Sequence, residues 1–283
     1  MRFLNVAVIV GCTSAGLTTA AESPSWYVIA GLGYGQKSGM DQVGSNRDTI
    51  CYPTDACFVE TPVRRIPGYR WRYAIDLDAG AGFELGVGRE LDNWRFELTA
   101  TGTGHDMTQT FSAIEYLDGS RRLPGDGTVV ADVEASIDSV RTAIVALSVL
   151  RKASIRRMKA YFGVGVGTAV VVVRGVRFRA NYRSRAPTQF DPPLSFYNSR
   201  QDDDLYAAAG AAFVHLGADY PLTQRVSLGA RFTYTHVGGI EDRSYYSYHP
   251  MHEQDIWFTN ENTFDAASGW QLGATVRYHF RRR

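Results

Sequence analysis

The sequence lacks any apolar run long enough to cross a membrane as a helix, since a helical span needs roughly 20 apolar residues. The mean hydropathy is slightly negative, which argues against a membrane protein built from several helices. One shorter apolar stretch, residues 3–17, follows Arg2 and precedes the small residues 19–21. A basic residue, an apolar stretch and small residues are the three parts of a secretory signal peptide. We therefore interpret residues 1–21 as a signal peptide and 22–283 as the mature domain.

Two other interpretations of this stretch remain open. It could be a buried helix or a membrane anchor, for which it is short. It could also belong to a lipoprotein, because residues 9–12, which end at Cys12, resemble a lipobox, although the leader would then be unusually short.

The sequence also has little net charge and few cysteines. Its formal charge is +1, and without Arg2 the basic and acidic residues are equal in number, so no basic excess suggests a nucleic-acid partner. Of the 3 cysteines, Cys51 and Cys57 lie in a polar segment of an exported chain, which predicts one small disulfide loop. Further ligands for a metal are not evident beside them, and we expect neither a metal nor a cofactor.

What the sequence does have is a repeated two-residue alternation of apolar and polar side chains. A β-strand sends successive side chains to opposite faces, so each such segment has one apolar face and one polar or glycine-rich face. The longest segment is read as a single strand with Trp71, Tyr73, Ile75 and Leu77 on the same apolar face as Phe83 and Leu85. Eight segments alternate in this way, at residues 26–35, 71–91, 94–101, 133–149, 162–167, 213–220, 226–235 and 270–280.

The connections between these segments alternate strictly between long and short. Three are short, at 92–93, 152–157 and 221–225, and four are long and polar, at 36–69, 105–130, 176–203 and 238–264. Short turns on one side of a membrane and long loops on the other are typical of transmembrane barrels. The pattern predicts an all-β fold, an eight-stranded antiparallel up-and-down transmembrane β-barrel with short periplasmic turns, four long extracellular loops and both termini periplasmic.

The polar faces predict the content of the barrel lumen. An eight-stranded barrel is just wide enough to be filled by side chains, and charges enclosed there must be paired. We predict a buried charge network that fills the lumen and argues against a wide pore, whereas Glu90 and Lys159 are expected in water at the strand ends. The residues of this network are Glu84, Arg95, Glu97, His215, Asp219, Arg231 and Arg277.

Several segments resemble a known family. SWYVIAGLGYG, AGAGFELGVGRELDNWRFELTATG, KAYFGVGVGTAV and SGWQLGATVRYHF, in this order, resemble the small outer-membrane barrels of the outer membrane protein A and opacity-protein type, also called surface antigens. The resemblance implies the bacterial outer membrane, contact with its lipid and lipopolysaccharide, and a last-strand signal read by the barrel assembly machinery. The matching signal residues are Gln271, Gly273, Val276, Tyr278 and Phe280; the family commonly ends on the aromatic residue, whereas three arginines follow here.

The first functional hypothesis is a non-enzymatic envelope protein whose loops contact a host or environmental ligand. The third loop is basic, which would suit lipopolysaccharide phosphates, and the fourth is acidic and aromatic. The basic residues are Arg174, Arg177, Arg179, Arg183 and Arg185.

Three alternatives stay open at this stage. An outer-membrane hydrolase would draw on Asp76, Asp78, His105 and Asp106, because outer-membrane proteases of the omptin type use two carboxylates and a His–Asp pair; a lipase would need a Ser–His–carboxylate set that no segment shows clearly. The barrel could instead be a narrow channel or a carrier of small apolar molecules. The architectural alternative is a soluble secreted β-sandwich.

Overall fold

The computed structural model describes residues 25–46, 69–120, 128–187, 189–191, 193–245 and 259–280. The expected signal peptide, the lipobox-like Cys12 and the expected Cys51–Cys57 disulfide all lie outside these residues. None of the described helices is long and apolar enough to cross a membrane.

Thirteen strands and one 3-10 helix, Leu194–Tyr197, make up the described chain. The strands are β1 (Ser25–Lys37), β2 (Met40–Asn46), β3 (Tyr69–Leu77), β4 (Gly80–Leu91), β5 (Trp94–Tyr116), β6 (Val129–Ser136), β7 (Ser139–Ile155), β8 (Met158–Ser184), β9 (Ser199–Pro221), β10 (Val226–Val237), β11 (Ile240–Tyr245), β12 (Thr259–Phe264) and β13 (Ala267–His279).

Eight of these strands form a closed antiparallel ring. Each pairs with two neighbours in the order β1, β4, β5, β7, β8, β9, β10 and β13, and β13 pairs back onto β1. Closure leaves no strand edge unpaired within the ring, which is the condition for a sheet to exist in hydrocarbon. The ring confirms the eight-stranded up-and-down barrel.

Short turns close one end of the ring, here called the turn end. Asp92 and Arg156 each begin a two-residue turn with a left-handed φ of 48° and 56°, as tight hairpins require. At the third turn, Thr223 Oγ1 accepts hydrogen bonds from the amides of Arg225 and Val226. One predicted turn, 152–157, was too long, because β7 continues to Ile155.

An apolar belt surrounds the ring on its outer face. From Trp26 to Tyr34 the side chains at even positions of β1 are exposed while Tyr27 and Ile29 are buried, and the other ring strands alternate in the same way. Leu32 is 74% exposed and Leu147 is 64% exposed, values that a soluble protein would not tolerate around its whole circumference. Aromatic side chains mark both rims: Trp26, Trp94, Tyr220, Tyr278 and Phe280 at the turn end, and Tyr34, Tyr234 and Trp270 at the other. The belt is that of a transmembrane barrel.

Beyond the belt, most strands change which residues face inward, from odd-numbered to even-numbered positions or the reverse. In the long segment read as one strand, Leu77 is buried, Asp78 and Ala79 are both exposed, and Phe83 and Leu85 point out into the belt. Equivalent breaks separate β1 from β2, β6 from β7, β10 from β11 and β12 from β13, and β8 has a bulge at Gly175 with a left-handed φ of 64°.

The expectation that Trp71, Tyr73, Ile75, Leu77 and Ile137 face lipid was therefore wrong. All five are buried, because above the belt the apolar face of the strands packs inward. The described parts of the four predicted long loops are also largely strand, since β2, β11, β12, the first two residues of β6 and the outer parts of β5, β8 and β9 lie within them.

These outer strands form two sheets, here called leaf one and leaf two. Leaf one has the order β11, β12, β2, β3 and the outer part of β5. Leaf two contains β6 and the outer parts of β8 and β9. The ring thus opens into two leaves above the belt.

The face switch can be tested with single spin labels. A label at Leu85→Cys should collide freely with oxygen dissolved in lipid, whereas one at Leu77→Cys should be protected from both oxygen and a water-soluble relaxation agent. Equal oxygen accessibility at the two positions would mean that residues 71–91 form one continuous lipid-facing strand.

Candidate functional site

The structure places the seven predicted network residues on the inner face of the ring, close to its turn end. Arg95 and Glu97 come from β5, Glu84 from β4, Asp219 and His215 from β9, Arg231 from β10 and Arg277 from β13. Arg95, Glu97, Asp219, Arg231 and Arg277 are 3% exposed or less. Such charges are stable only when paired, because each has given up its hydration.

Arg231 and Glu97 form the centre of this cluster. Arg231 Nη2 donates to Glu97 Oε2 at 2.6 Å, and Arg231 Nη1 donates to the carboxylate of Glu84. Glu97 also accepts a hydrogen bond of 2.7 Å from the hydroxyl of Tyr27. A single carboxylate therefore connects strands on opposite sides of the ring.

Arg277 and Asp219 extend the cluster. Arg277 donates to Asp219, lies 3.8 Å from Glu97, and donates from Nη2 to the hydroxyl of Tyr161 at 3.1 Å. Arg95 Nη1 lies 3.0 Å from Asp219 Oδ2. Every carboxylate here faces at least one guanidinium, so the buried charges largely compensate one another.

Two tyrosines that the sequence reasoning missed complete the arrangement. The ring of Tyr161 lies 4.9 Å, 5.4 Å and 5.0 Å from the guanidinium carbons of Arg95, Arg231 and Arg277, so it separates three like charges and attracts each of them. A Cβ at Gly217 would collide with its hydroxyl end, and a Cβ at Gly88 would collide with Tyr27. The alternation in the sequence could have identified both tyrosines, because it places their side chains on the inward face.

Glu90 was expected in water and is instead 5% exposed. It accepts hydrogen bonds from Arg95 at 2.7 Å and from Lys152 at 3.0 Å. The physical reason is the length of β7, which carries Lys152 inside the ring rather than in a turn.

His215 borders the network without an ion pair in the described part of the chain. Its two ring nitrogens lie 3.1 Å from Ser148 Oγ and 3.0 Å from Thr233 Oγ1. Next to it a cavity of about 60 Å³ lies between the network and the end of the ring opposite the turn end. The cavity is lined mainly by small and hydroxyl-bearing residues, among them Thr99, Thr101, Thr103, Thr235 and Thr275. Gln271 also lines it.

A cluster of buried apolar side chains, here called the apolar cap, lies above this cavity. Its buried side chains come from both the ring and the leaves and include Ile75, Leu77, Val140, Val173, Val237 and Phe264. Met40 and Met107 pack against them. Along the axis the lumen therefore passes from charged, through small and polar, to apolar.

The residues of the expected assembly signal are not gathered into one site. Gln271 lines the cavity and Gly273 packs against the backbone of Leu32, whereas Val276, Tyr278 and Phe280 lie on the belt. Their role as a signal stays a prediction.

The four residues considered for hydrolysis do not converge on one face. His105 is buried in the lumen, where Nδ1 lies 2.8 Å from the carbonyl of Asp78. Asp76, Asp78 and Asp106 are exposed on the outside. Within the described residues, no three His, Cys, Asp or Glu side chains gather around one point as a metal ion would require.

Three solved structures are similar to this chain. Neisserial surface protein A has a TM-score of 0.44 at 14% identity, covering 92% of this chain and 100% of that one. The outer membrane protein OprG from Pseudomonas aeruginosa has 0.40 at 14%, covering 90% and 97%. The outer membrane protease OmpT from Escherichia coli has 0.34 at 11%, covering 93% and 99%. No family model matches the chain, and no curated protein matches it.

The closed ring, the apolar belt and the aromatic rims together give the architecture of a small outer-membrane β-barrel. This confirms the fold that the sequence resemblance implied.

Removing the central carboxylate tests the network. Glu97→Ala leaves Arg231 with Glu84 alone and removes one contact of Arg277, so we expect the barrel to lose about 3–5 kcal/mol of unfolding free energy in urea titrations in lipid vesicles. The control Glu134→Ala, at an exposed position on β6, should change it by less than about 0.5 kcal/mol. Equal effects of the two variants would contradict a role for the network in stability.

Proposed function

We propose that this chain is a bacterial outer-membrane surface protein in which a sealed barrel serves as an anchor and the two leaves outside the membrane make the contacts. The observation that supports the proposal is the filling of both ends of the lumen by buried side chains. A buried ion network at one end and an apolar cap at the other leave between them a cavity of only about 60 Å³. A solute would have to break both layers to pass.

The orientation follows from the same geometry. Short turns belong to the periplasmic side of outer-membrane barrels and long segments to the outside. In this orientation both ends of the described ring are periplasmic, and the leaves stand above the outer leaflet, where a surface ligand is accessible to them.

Lipopolysaccharide is the proposed lipid partner. On the outer face of β7 and β8, Arg141 and Arg174 follow directly after the apolar residues of the belt, at the height expected for lipid phosphates. Arg177 and Arg183 stand further out but are each paired with an aspartate, Asp138 and Asp132. Arg174 has only a longer contact, 3.9 Å from Asp204, so we expect Arg141 and Arg174 to be the pair that contacts phosphate, through charge-assisted hydrogen bonds.

A planar bilayer tests the sealed lumen. Refolded protein should give no stable single-channel steps, because the network and the cap both block the axis. Arg231→Ala combined with Phe264→Ala opens both layers and should raise the frequency of brief openings. Large, steady steps from the unaltered protein would contradict the proposal.

A further inference from the structure

The two leaves separate because the change of parity does not occur in every strand. β5 and β9 run from the ring into the leaves without a break, whereas their neighbours break. Where a broken strand meets an unbroken one, the register must shift by one residue. The β3–β5 and β8–β9 junctions absorb this shift, since Gly82 pairs with Thr103 but Leu77 with Met107. At β5–β7 and at β9–β10 the pairing ends instead.

The two resulting gaps differ. Between β9 and β11, Leu205 and Ile240 belong to one buried apolar cluster, and the amide of Gly238 donates to Gly210 at 2.9 Å. Side chains therefore fill that gap. At the base of the other gap, the last paired residues are Asp106 of β5 and Ser139 of β7. Above this pair, no ladder in the described chain joins β5 to β6.

The edge of β5 directs into this gap backbone groups that pair with none of the described strands. Asp78 donates its amide to the carbonyl of Asp106, which makes this pair a hydrogen-bonded one. Hydrogen-bonded and non-hydrogen-bonded positions alternate along an antiparallel ladder, so Thr108 and Thr110 also bond to β3. The amides and carbonyls of the intervening residues point into the gap, and these residues are Met107, Gln109 and Phe111.

The edge of β6 is arranged in the same way. The amide of Arg185 donates to the carbonyl of Thr128, and the alternation then directs Val130, Asp132 and Glu134 toward β8. The residues whose backbone groups point into the gap are Val129, Ala131, Val133 and Ala135. Neither edge carries the lysine or proline that commonly protects a free strand edge.

Side chains beside the gap are uncovered although they lie on inward faces. Phe111 shares a face of β5 with Gln109 and packs edge-on against the buried ring of Tyr73 at 5.6 Å, yet it is 55% exposed. Val133 shares a face of β6 with the buried Val129 and is 53% exposed. A strand placed in the gap would cover both.

Deeper in the gap lies a pocket of about 20 Å³, lined by apolar and amide side chains and with contributions from both edges. Gln109 donates to Gln42 at 2.7 Å, and Gln42 donates to Asn262 at 3.0 Å. This chain of amides leaves Gln109 Oε1 and Asn262 Nδ2 without a hydrogen-bond partner among the described residues, although Asn262 is only 1% exposed. One buried acceptor and one buried donor beside the pocket therefore lack a partner among the described residues.

β6 is held to leaf two by its ladder with β8, and exposed ion pairs add contacts within each leaf. Arg183 Nε donates to Asp132 at 2.7 Å and lowers the pKa of that carboxyl below its ordinary value. On the other side, a hydrogen bond from Arg72 is the main reason why the pKa of Glu115 is lowered.

We propose that the gap between β5 and β6 accepts an extended peptide segment of another protein, which adds as a strand along the two facing edges. The inference rests on the proposed function in that it takes the leaves as the binding part. Only an extended chain can satisfy two rows of unpaired amides and carbonyls at once, and strand addition of this kind is a general mode of peptide recognition. The inward side chains of the peptide would be apolar beside Phe111 and Val133 and small and polar, such as serine, beside Gln109.

The probe is a randomised peptide library displayed on phage and selected on the folded full-length barrel in lipid nanodiscs. Selected peptides should have the alternating pattern described above. Hydrogen exchange should show protection of the gap-directed amides of β5 and β6 on binding, with little change in the ring.

Proline at the β6 edge gives the decisive variant. Val133→Pro removes one gap-directed amide and should weaken the selected peptides about fivefold, since a hydrogen bond contributes roughly 1 kcal/mol and 1.4 kcal/mol is a factor of ten. Val133→Thr retains the amide and should bind within about twofold of the unaltered protein. Heat-dependent gel mobility checks that each variant is folded, and Phe111→Ala, which removes the apolar wall, is a second variant that should weaken binding.

Four results would overturn the inference. The first three are a selection that yields no peptide, selected peptides that protect amides elsewhere, and equal binding by Val133→Pro and Val133→Thr. Concentration-dependent dimers that protect the same amides without peptide would assign the gap to a second copy and would also overturn it. None of these results changes the conductance of the barrel, so the sealed lumen is judged separately.

Discussion

The structure depends on one constraint, that a backbone amide in hydrocarbon must have a hydrogen-bond partner within the protein. Eight strands meet it by closing into a ring, and closure divides the side chains into those that face lipid and those that face a narrow interior. Charges can enter that interior only as compensated sets, which is why Arg231, Glu97 and Arg277 occur together rather than singly.

Above the belt the constraint no longer holds, because water can pair a free amide. There the strands break, reverse the face that they bury and pack around an apolar cap. Strands that break together, such as β1–β2 and β3–β4, keep one register on both sides of the break. An unbroken strand next to a broken one cannot keep one register on both sides of the break, and the ring therefore opens at β5. The separation of the leaves is thus a consequence of a one-residue register shift.

The sequence predicted the ring well because alternation measures how apolar each face is, and the belt is apolar all round. It did not reveal the switch at Asp78 and Ala79, because the apolar side chains stay at odd positions on both sides of it. Leu77 is apolar because it packs in a core, and Phe83 is apolar because it faces lipid. Alternation reports the contrast between two faces and not which of them points inward.

The lumen charges followed from the same alternation, but the partners of Glu90 did not. A strand end and a turn look alike in sequence where charges are frequent, so Lys152 was placed in a turn although it lies inside the ring. The pairing among the seven network residues also depends on the stagger of the strands around the ring, which a pattern within single strands does not contain.

The most direct test of the account is the quenching of single tryptophans by lipids with brominated acyl chains. Trp94 and Trp270 are each 44% exposed on the belt, whereas Trp71 is 8% exposed inside leaf one. In variants that retain one tryptophan each, brominated lipid should strongly quench Trp94 and Trp270 and leave Trp71 bright. Strong quenching of Trp71 together with bright Trp94 and Trp270 would contradict the claim that lipid surrounds this ring.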